Sequence, residues 1–286
     1  TKVHETLHAL LDDPAPGHHR YMPNGGFPAV REYLANELRE EQGLPFEKED
    51  MVLCVGAGGG LNVVAKALLE PEDEVVALAP YFVEYGFYVQ NHGGVLTVAK
   101  TRQEDFLPDL DALEAVMTQR TRAIIVNSPN NPTGVVYSQE VLDELGTWLR
   151  TQEQHFGHPI YLIADEPYRK LLFDEVVNGS VLKAHPHSIL ITSHSKDLGL
   201  AGERIGYIAL HPEVPDRALW QEALVFTNRI LGFVNAPALM QRALPHLRGV
   251  QVDIGFYQQL RDQVCSLMEE VGISCVRPQG AFYLFP

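Results

Sequence analysis

A lysine, Lys196, closes the apolar run ILITSH within the stretch SHSKDLGLAGER, with Ser193 and Ser195 before it and Arg204 eight positions after it. An amine held beside buried structure can attack a carbonyl and form a Schiff base, which a freely solvated lysine does poorly. Four other polar stretches also follow apolar runs: GAGGG at 56–60, APYF at 79–82, NSPNNPTG at 127–134 and ADEPY at 164–168. A glycine run between a strand and a helix exposes backbone N–H groups at a helix N-terminus, where an anion is welcome. Arg204 and Ser193 could complete a phosphate cup there, and a buried Asp165 could hold a proton on a pyridine nitrogen. Amine, phosphate cup and carboxylate together suit pyridoxal phosphate.

Such a set acts only if the fold gathers it. Seven short, β-branched runs predict strands: 51–56, 74–79, 95–100, 123–128, 160–166, 188–194 and 204–210. Most are continuously apolar, the pattern of strands covered on both faces in a mostly parallel sheet. Helical patterns at about 60–70, 81–91, 109–119 and 138–154 fill the gaps, so βα units alternate and right-handed crossovers wind one sheet. All five polar stretches then fall at carboxyl ends of strands, where α/β sheets build their sites. A helix over 28–42, the helical region after about 212 and the segments ISCVRP and AFYLFP, read as strands of a second layer, predict a smaller α+β domain from both chain ends. The expected division is 1–48 for the first part of that small domain, 49–235 for the large domain and 236–286 for the start of its remainder.

Composition narrows the function. With 286 residues, 45% of them hydrophobic, the chain can bury a full core. Its 37 acidic against 22 basic residues, net −15, argue against nucleic acid or an anionic membrane as partner. No apolar stretch approaches the roughly 18 residues of a spanning helix, and the start TKVHETLHALLDD lacks a signal-peptide pattern. Three scattered cysteines suit a reducing compartment, so cytoplasm is expected.

Taken in order, YMPNGG with AVRE after it, GAGGG, PYFVEY, NNPTG, ADEPY and SHSK followed by GERIGY resemble the fold-type I pyridoxal-phosphate enzymes, the class I/II aminotransferases, over nearly the whole chain. The resemblance implies that Lys196 carries the cofactor as a Schiff base and moves a proton during transfer. It implies that Asp165 pairs with the pyridinium, that Tyr168 and Asn131 hydrogen-bond the phenolate oxygen, and that Phe82 stacks on the ring. It places the phosphate on Gly56, Ala57, Gly58, Ser193 and Arg204, with Tyr21 reaching it from the second subunit of a homodimer. The implied reaction moves an amino group between an α-amino acid and a 2-oxo acid by a ping-pong mechanism. Tyr85, Phe87 and Asn228 are plausible pocket walls. Family members carry a carboxylate-binding arginine some tens of residues after the stretch seen here as GAFYLF, so a chain truncated at both ends is expected.

Plain structural roles compete with each residue. Lys196 could be a solvated lysine, Asp165 a helix cap, Asn131 a turn former, Tyr168 and Phe82 core aromatics, and Arg204 half of a surface ion pair. Three motifs point elsewhere. HETLH at 4–8 fits a zinc-binding H-E-x-x-H, but no third ligand follows and DDPAPG stops the helix early. Ser193 to Lys196 fits S-x-x-K without its partner motifs. GAGGGL breaks G-x-G-x-x-G at Leu61. No metal is therefore expected. The functional alternatives are a lyase or decarboxylase of the same fold, or the aminotransferase-like effector domain of a transcription regulator.

Overall fold

The computed structural model describes residues 1–13 and 19–286. Part of the stretch read as a helix stop, PAPG at 14–17, lies outside the described residues. Among them, helices run α1 Lys2–Asp12, α2 Pro28–Gln42, α3 Gly56–Leu68, α4 Glu84–Gln90, α5 Leu110–Val116, α6 Gln139–Phe156, α7 Val181–Ala184, α8 Arg217–Ile230, α9 Ala238–Ala243 and α10 Ile254–Glu270. Strands run β1 Met51–Cys54, β2 Glu74–Ala79, β3 Val95–Lys100, β4 Thr121–Val126, β5 Tyr161–Asp165, β6 Ser188–Ser193 and β7 Gly206–Leu210. Local chemistry sets several boundaries. Pro28 opens α2 and Gly43, at φ 70°, closes it; Ser138 caps α6 through the Val141 N–H, and Gly157 ends it in the left-handed region.

The seven strands form one sheet in the order β1-β7-β6-β5-β4-β2-β3. β2 pairs parallel with β3 and with β4, and β4 pairs parallel with β5, while β1 and β7 are antiparallel, with Cys54 opposite Gly206. Every residue of β1, β5, β6 and β7 is buried, as their unbroken apolar runs require. β3 departs from that reading: it forms the sheet edge and only Ala99 is buried, so VLTVAK is covered on far less of its surface than its composition suggests.

The chain packs as two compact units that divide within β6. One comprises Thr1–Ala67 with Leu190–Val252, the other Leu68–Ile189 with Asp253–Pro286.

The predicted strands ISCVRP and AFYLFP do not form. In the second unit the C-terminal segment lies as irregular chain over the NNPTG turn, joined by a single bridge, Leu172 to Gly280. Its N–H groups go to loops: Gln279 and Gly280 donate to the Gly134 carbonyl at 2.8 and 3.0 Å, and Ala281 donates to Leu171 at 3.0 Å. Held to that turn by the two residues before it and to Leu171 by Ala281, AFYLFP pairs with no strand of the described residues. Gly134 permits this docking. It sits at φ +71°, and a Cβ there would lie 2.5 Å from Pro278 Cβ and 3.0 Å from the carbonyl oxygens of Gly280 and Tyr283. Gly157 has a similar φ of +75° with open space around it. Gly157→Ala is expected to cost about 1–2 kcal/mol, the left-handed penalty alone. Gly134→Ala should cost about 3 kcal/mol, because overpacking adds to that penalty. Urea unfolding of the two variants compares them directly, and equal losses would remove the close approach as a cause.

Candidate active site

In the second unit the site is built around the end of β5. Asp165, the last residue of that strand, is 4% exposed. Its Oδ2 accepts a hydrogen bond from the Tyr85 hydroxyl at 2.5 Å, and its Oδ1 is buried with no partner. Burial pushes the carboxyl up to about 6, while the Tyr85 hydrogen bond pulls the other way. The Asn127 side chain locks the neighbouring backbone, donating to the Asp165 carbonyl at 2.6 Å and accepting the Asn131 N–H at 2.7 Å. One amide thus ties the β5 end to the NNPTG loop. The turn itself is made by Asn130, whose Oδ1 accepts from the Thr133 N–H and hydroxyl at 3.0 and 2.8 Å. Asn131 is half-buried next to it.

Phe82 lies just before α4 and packs its ring edge-to-face on Tyr85, with centroids 5.6 Å apart. Tyr168 is buried, and its hydroxyl meets that of Tyr283 at 2.7 Å. Burial, then the Tyr283 contact, raises the Tyr168 phenol well above its usual range.

In the first unit a separate cluster surrounds the start of α3. Gly56 has φ +68°, and a Cβ there would lie 2.7 Å from Nη2 of Arg204. Gly206 brings the strand ends together: a Cβ on it would meet the Thr192 carbonyl oxygen at 2.5 Å and the Gly56 backbone at 3.1 Å. The His194 N–H donates to the Ile205 carbonyl at 3.0 Å, so the chain after β6 stays beside the entry to β7. Ser193 is buried and its hydroxyl donates to Ser195 at 3.1 Å; Ala57 and Gly58 are half-buried in the first turn of α3. Helix N–H groups and a guanidinium meet at the start of α3, and the chain that carries the two hydroxyls follows the end of β6 beside it, a set that suits an anion. Lys196 follows Ser195, half-buried.

Each cluster, taken by itself, suits one part of pyridoxal phosphate. In the second unit a buried carboxylate oxygen with no partner is what a protonated ring nitrogen needs, and in the first the start of α3 suits a phosphate. A family profile described as aminotransferase class I and II matches residues 2–286. The chain belongs to that family. It is a pyridoxal-phosphate-dependent aminotransferase of the PLP-dependent transferase fold.

Relatives of this aminotransferase include the aspartate aminotransferase of Geobacillus stearothermophilus, 34% identical over 98% of this chain and 71% of the relative. The probable aspartate/prephenate aminotransferase of Thermus aquaticus is 34% identical over 94% of this chain and 70% of its own length. Among solved structures, an amino transferase from Eubacterium rectale superposes with a TM-score of 0.96 at 35% identity, covering 98% of this chain and 71% of that one. Aspartate aminotransferase from Thermus thermophilus with maleate gives 0.85 at 31%, covering 98% and 72%. The chain thus spans about 70% of the length of these relatives. Their names favour amino transfer over the lyase and regulator alternatives.

Other sequence-chosen residues of the aminotransferase fall in varied surroundings. Tyr21 is 91% exposed. Phe87, expected as a pocket wall, is 64% exposed. Asn228 is fully buried, donating at 3.4 Å to the Leu53 and Asn24 carbonyls, which anchors the YMPNGG loop to β1. Two residues were missed: Tyr283, which meets Tyr168, and Ser195, which partners Ser193. Tyr85, expected as a pocket wall, is the residue that holds Asp165. The S-x-S spacing was the one local signal for Ser195, which lies in the turn just past Ser193. Tyr283 carries no such local signal.

Proposed function

We propose that Lys196 is the attachment lysine and proton carrier of this aminotransferase, and that aspartate is its amino donor. The observation that carries the site is Asp165, whose Oδ1 is buried and unpartnered while Tyr85 fixes Oδ2. Pyridoxal phosphate, when bound, supplies the electron sink that lets an amino acid lose its Cα proton. Asp165 would hold the positive charge on the ring nitrogen, and Phe82 would cover a ring face. Tyr168 and Asn131 would hydrogen-bond the phenolate oxygen. Gly56, Ala57, Gly58, Ser193 and Arg204 would bind the phosphate. Once released by the substrate, the Lys196 amine would take the Cα proton and deliver it to the cofactor's C4′, on the other side of the substrate nitrogen.

Aspartate is supported by the names of the relatives, and a 2-oxo acid would take the amino group in the second half of the ping-pong cycle. Homodimerisation is supported by Tyr21, whose nearly complete exposure in the single chain leaves its ring available to a second copy. No helix of the described residues is long and apolar enough to cross a membrane. A cytoplasmic setting is proposed on the scarcity of cysteine.

The holoenzyme should be given a panel of amino donors with a common 2-oxo acid while the cofactor's absorbance is followed. Aspartate is expected to give the highest kcat/KM. A clear preference for an aromatic or aliphatic donor would overturn the substrate, and release of ammonia or carbon dioxide instead of transfer would overturn the reaction.

A further inference from the structure

A second cluster of ligating side chains lies in the second unit, made of residues given no role above. Near the end of α6, Oε1 of Glu153 is approached by three nitrogens: the Ile160 N–H at 2.9 Å, His185 Nε2 at 3.2 Å and His187 Nδ1 at 2.5 Å. His185 is buried at 1% exposure, and Glu153 and His187 retain only 13% and 18% of their side-chain surface. One ligand atom from each of the three residues falls within 4.8 Å of the others. The histidines bracket Pro186 just before β6, and the His187 carbonyl accepts the Leu162 N–H of β5 at 2.9 Å, which fixes the backbone that presents them.

Three donors on one carboxylate oxygen exceed its two lone-pair directions. The Ile160 N–H is fixed in the backbone, so two imidazoles compete for what remains. A single divalent cation resolves the conflict: it replaces both imidazole protons and is bound by the two nitrogens and the carboxylate oxygen at once. Two histidines and one carboxylate form a known ligand set for zinc, with a fourth position open to water.

We propose that Glu153, His185 and His187 form a divalent transition-metal site, with zinc as its preferred ion, which ties α6 to the entry of β6. The ion acts as a cross-brace below the strand whose far end leads into Ser193 and Lys196. His185 Nδ1 is buried and has no acceptor, so this ligand lacks the outer hydrogen bond that usually strengthens a metal-bound imidazole. Affinity should therefore fall about 10- to 100-fold below that of a site with that bond.

Chelator-treated holoenzyme would be dialysed against zinc ion and its metal content measured, with cobalt(II) as a spectroscopic stand-in. One equivalent per chain is expected, with visible cobalt bands of a four-coordinate site. His187→Ala should weaken binding at least about 100-fold through loss of a ligand, and Glu153→Gln should do likewise. His8→Ala, in the HETLH stretch, should change nothing. Should His187→Ala fail to fold by circular dichroism, His187→Gln keeps a donor for Glu153 while removing the imidazole. No uptake by the wild type, unchanged uptake in the folded histidine variant, or loss in His8→Ala would each overturn the proposal. Transfer activity is not the readout, so failure here leaves the reading of Lys196 and Asp165 intact.

Discussion

Lys196→Ala is expected to lower amino transfer by at least about 10⁴-fold, the upper end of what positioned acid–base catalysis contributes, with the covalent route lost as well. The fold should survive. Lys196 sits on a turn held by other groups: His194 Nδ1 lies 3.0 Å from Asp197 Oδ2, and the Asp197 carbonyl accepts the Val252 N–H at 2.8 Å. Those bonds fix the backbone of residues 194–197, so removing the lysine side chain leaves its support in place. Lys196→Arg separates charge from chemistry, because a guanidinium keeps the cation but forms no imine. Both variants should lose transfer equally if the amine itself acts. Borohydride reduction of the loaded wild type, followed by peptide mapping, should place the pyridoxyl group on Lys196. Lys170 and Lys183, both exposed, are the alternatives. A label on either would overturn the assignment.

The strand ends could be read from the chain because their chemistry is local. All seven apolar runs form strands, and the GAGGG, NNPTG, ADEPY and SHSK stretches lie where those strands stop. Loop and helix boundaries shifted where backbone bonding overruled pattern. Tyr81, Phe82 and Val83 were read into a helix that begins only at Glu84, and AFYLFP was read as a strand although Gln279 and Gly280 before it donate to the Gly134 carbonyl and Ala281 to Leu171. Tyr85 shows why part of the site was hidden. It follows Phe82 by three positions and resembles any core aromatic, yet its hydroxyl meets a carboxylate 80 residues later. Periodicity reports that a side chain is buried, not which polar atom its tip will find. The Glu153 cluster was hidden for the same reason, since 32 residues separate the glutamate from His185.

Asp165→Asn should retain cofactor yet lose turnover by about 10²- to 10⁴-fold. Removing one partner of a buried charge pair costs about 3–5 kcal/mol, and each 1.4 kcal/mol is about tenfold in rate. Tyr85→Phe should cost less, about 10- to 100-fold, because one hydrogen bond to a charged group contributes about 1.5–3 kcal/mol. A second readout follows from protonation. In the cofactor-free fold the Asp165 carboxyl lies near 6 against 3.8 ordinarily, so the fold holds this proton more tightly than the unfolded chain does. The neutral acid therefore stabilises the fold. That contribution is complete below about 3.8 and falls away as pH rises through about 6, by about 3 kcal/mol at 1.36 kcal/mol per unit. Asp165→Asn should remove this slope, seen as the difference between wild-type and variant urea-unfolding curves from pH 4 to 8. Tyr85→Phe should move the slope to higher pH, since the tyrosine hydrogen bond opposes the upward shift. Loading the wild type with pyridoxal phosphate should flatten it, because a positive ring nitrogen beside Oδ1 favours the ionised carboxylate in the fold. If the slope persists in Asp165→Asn, or is unchanged by the cofactor, Asp165 is not the residue that meets the ring.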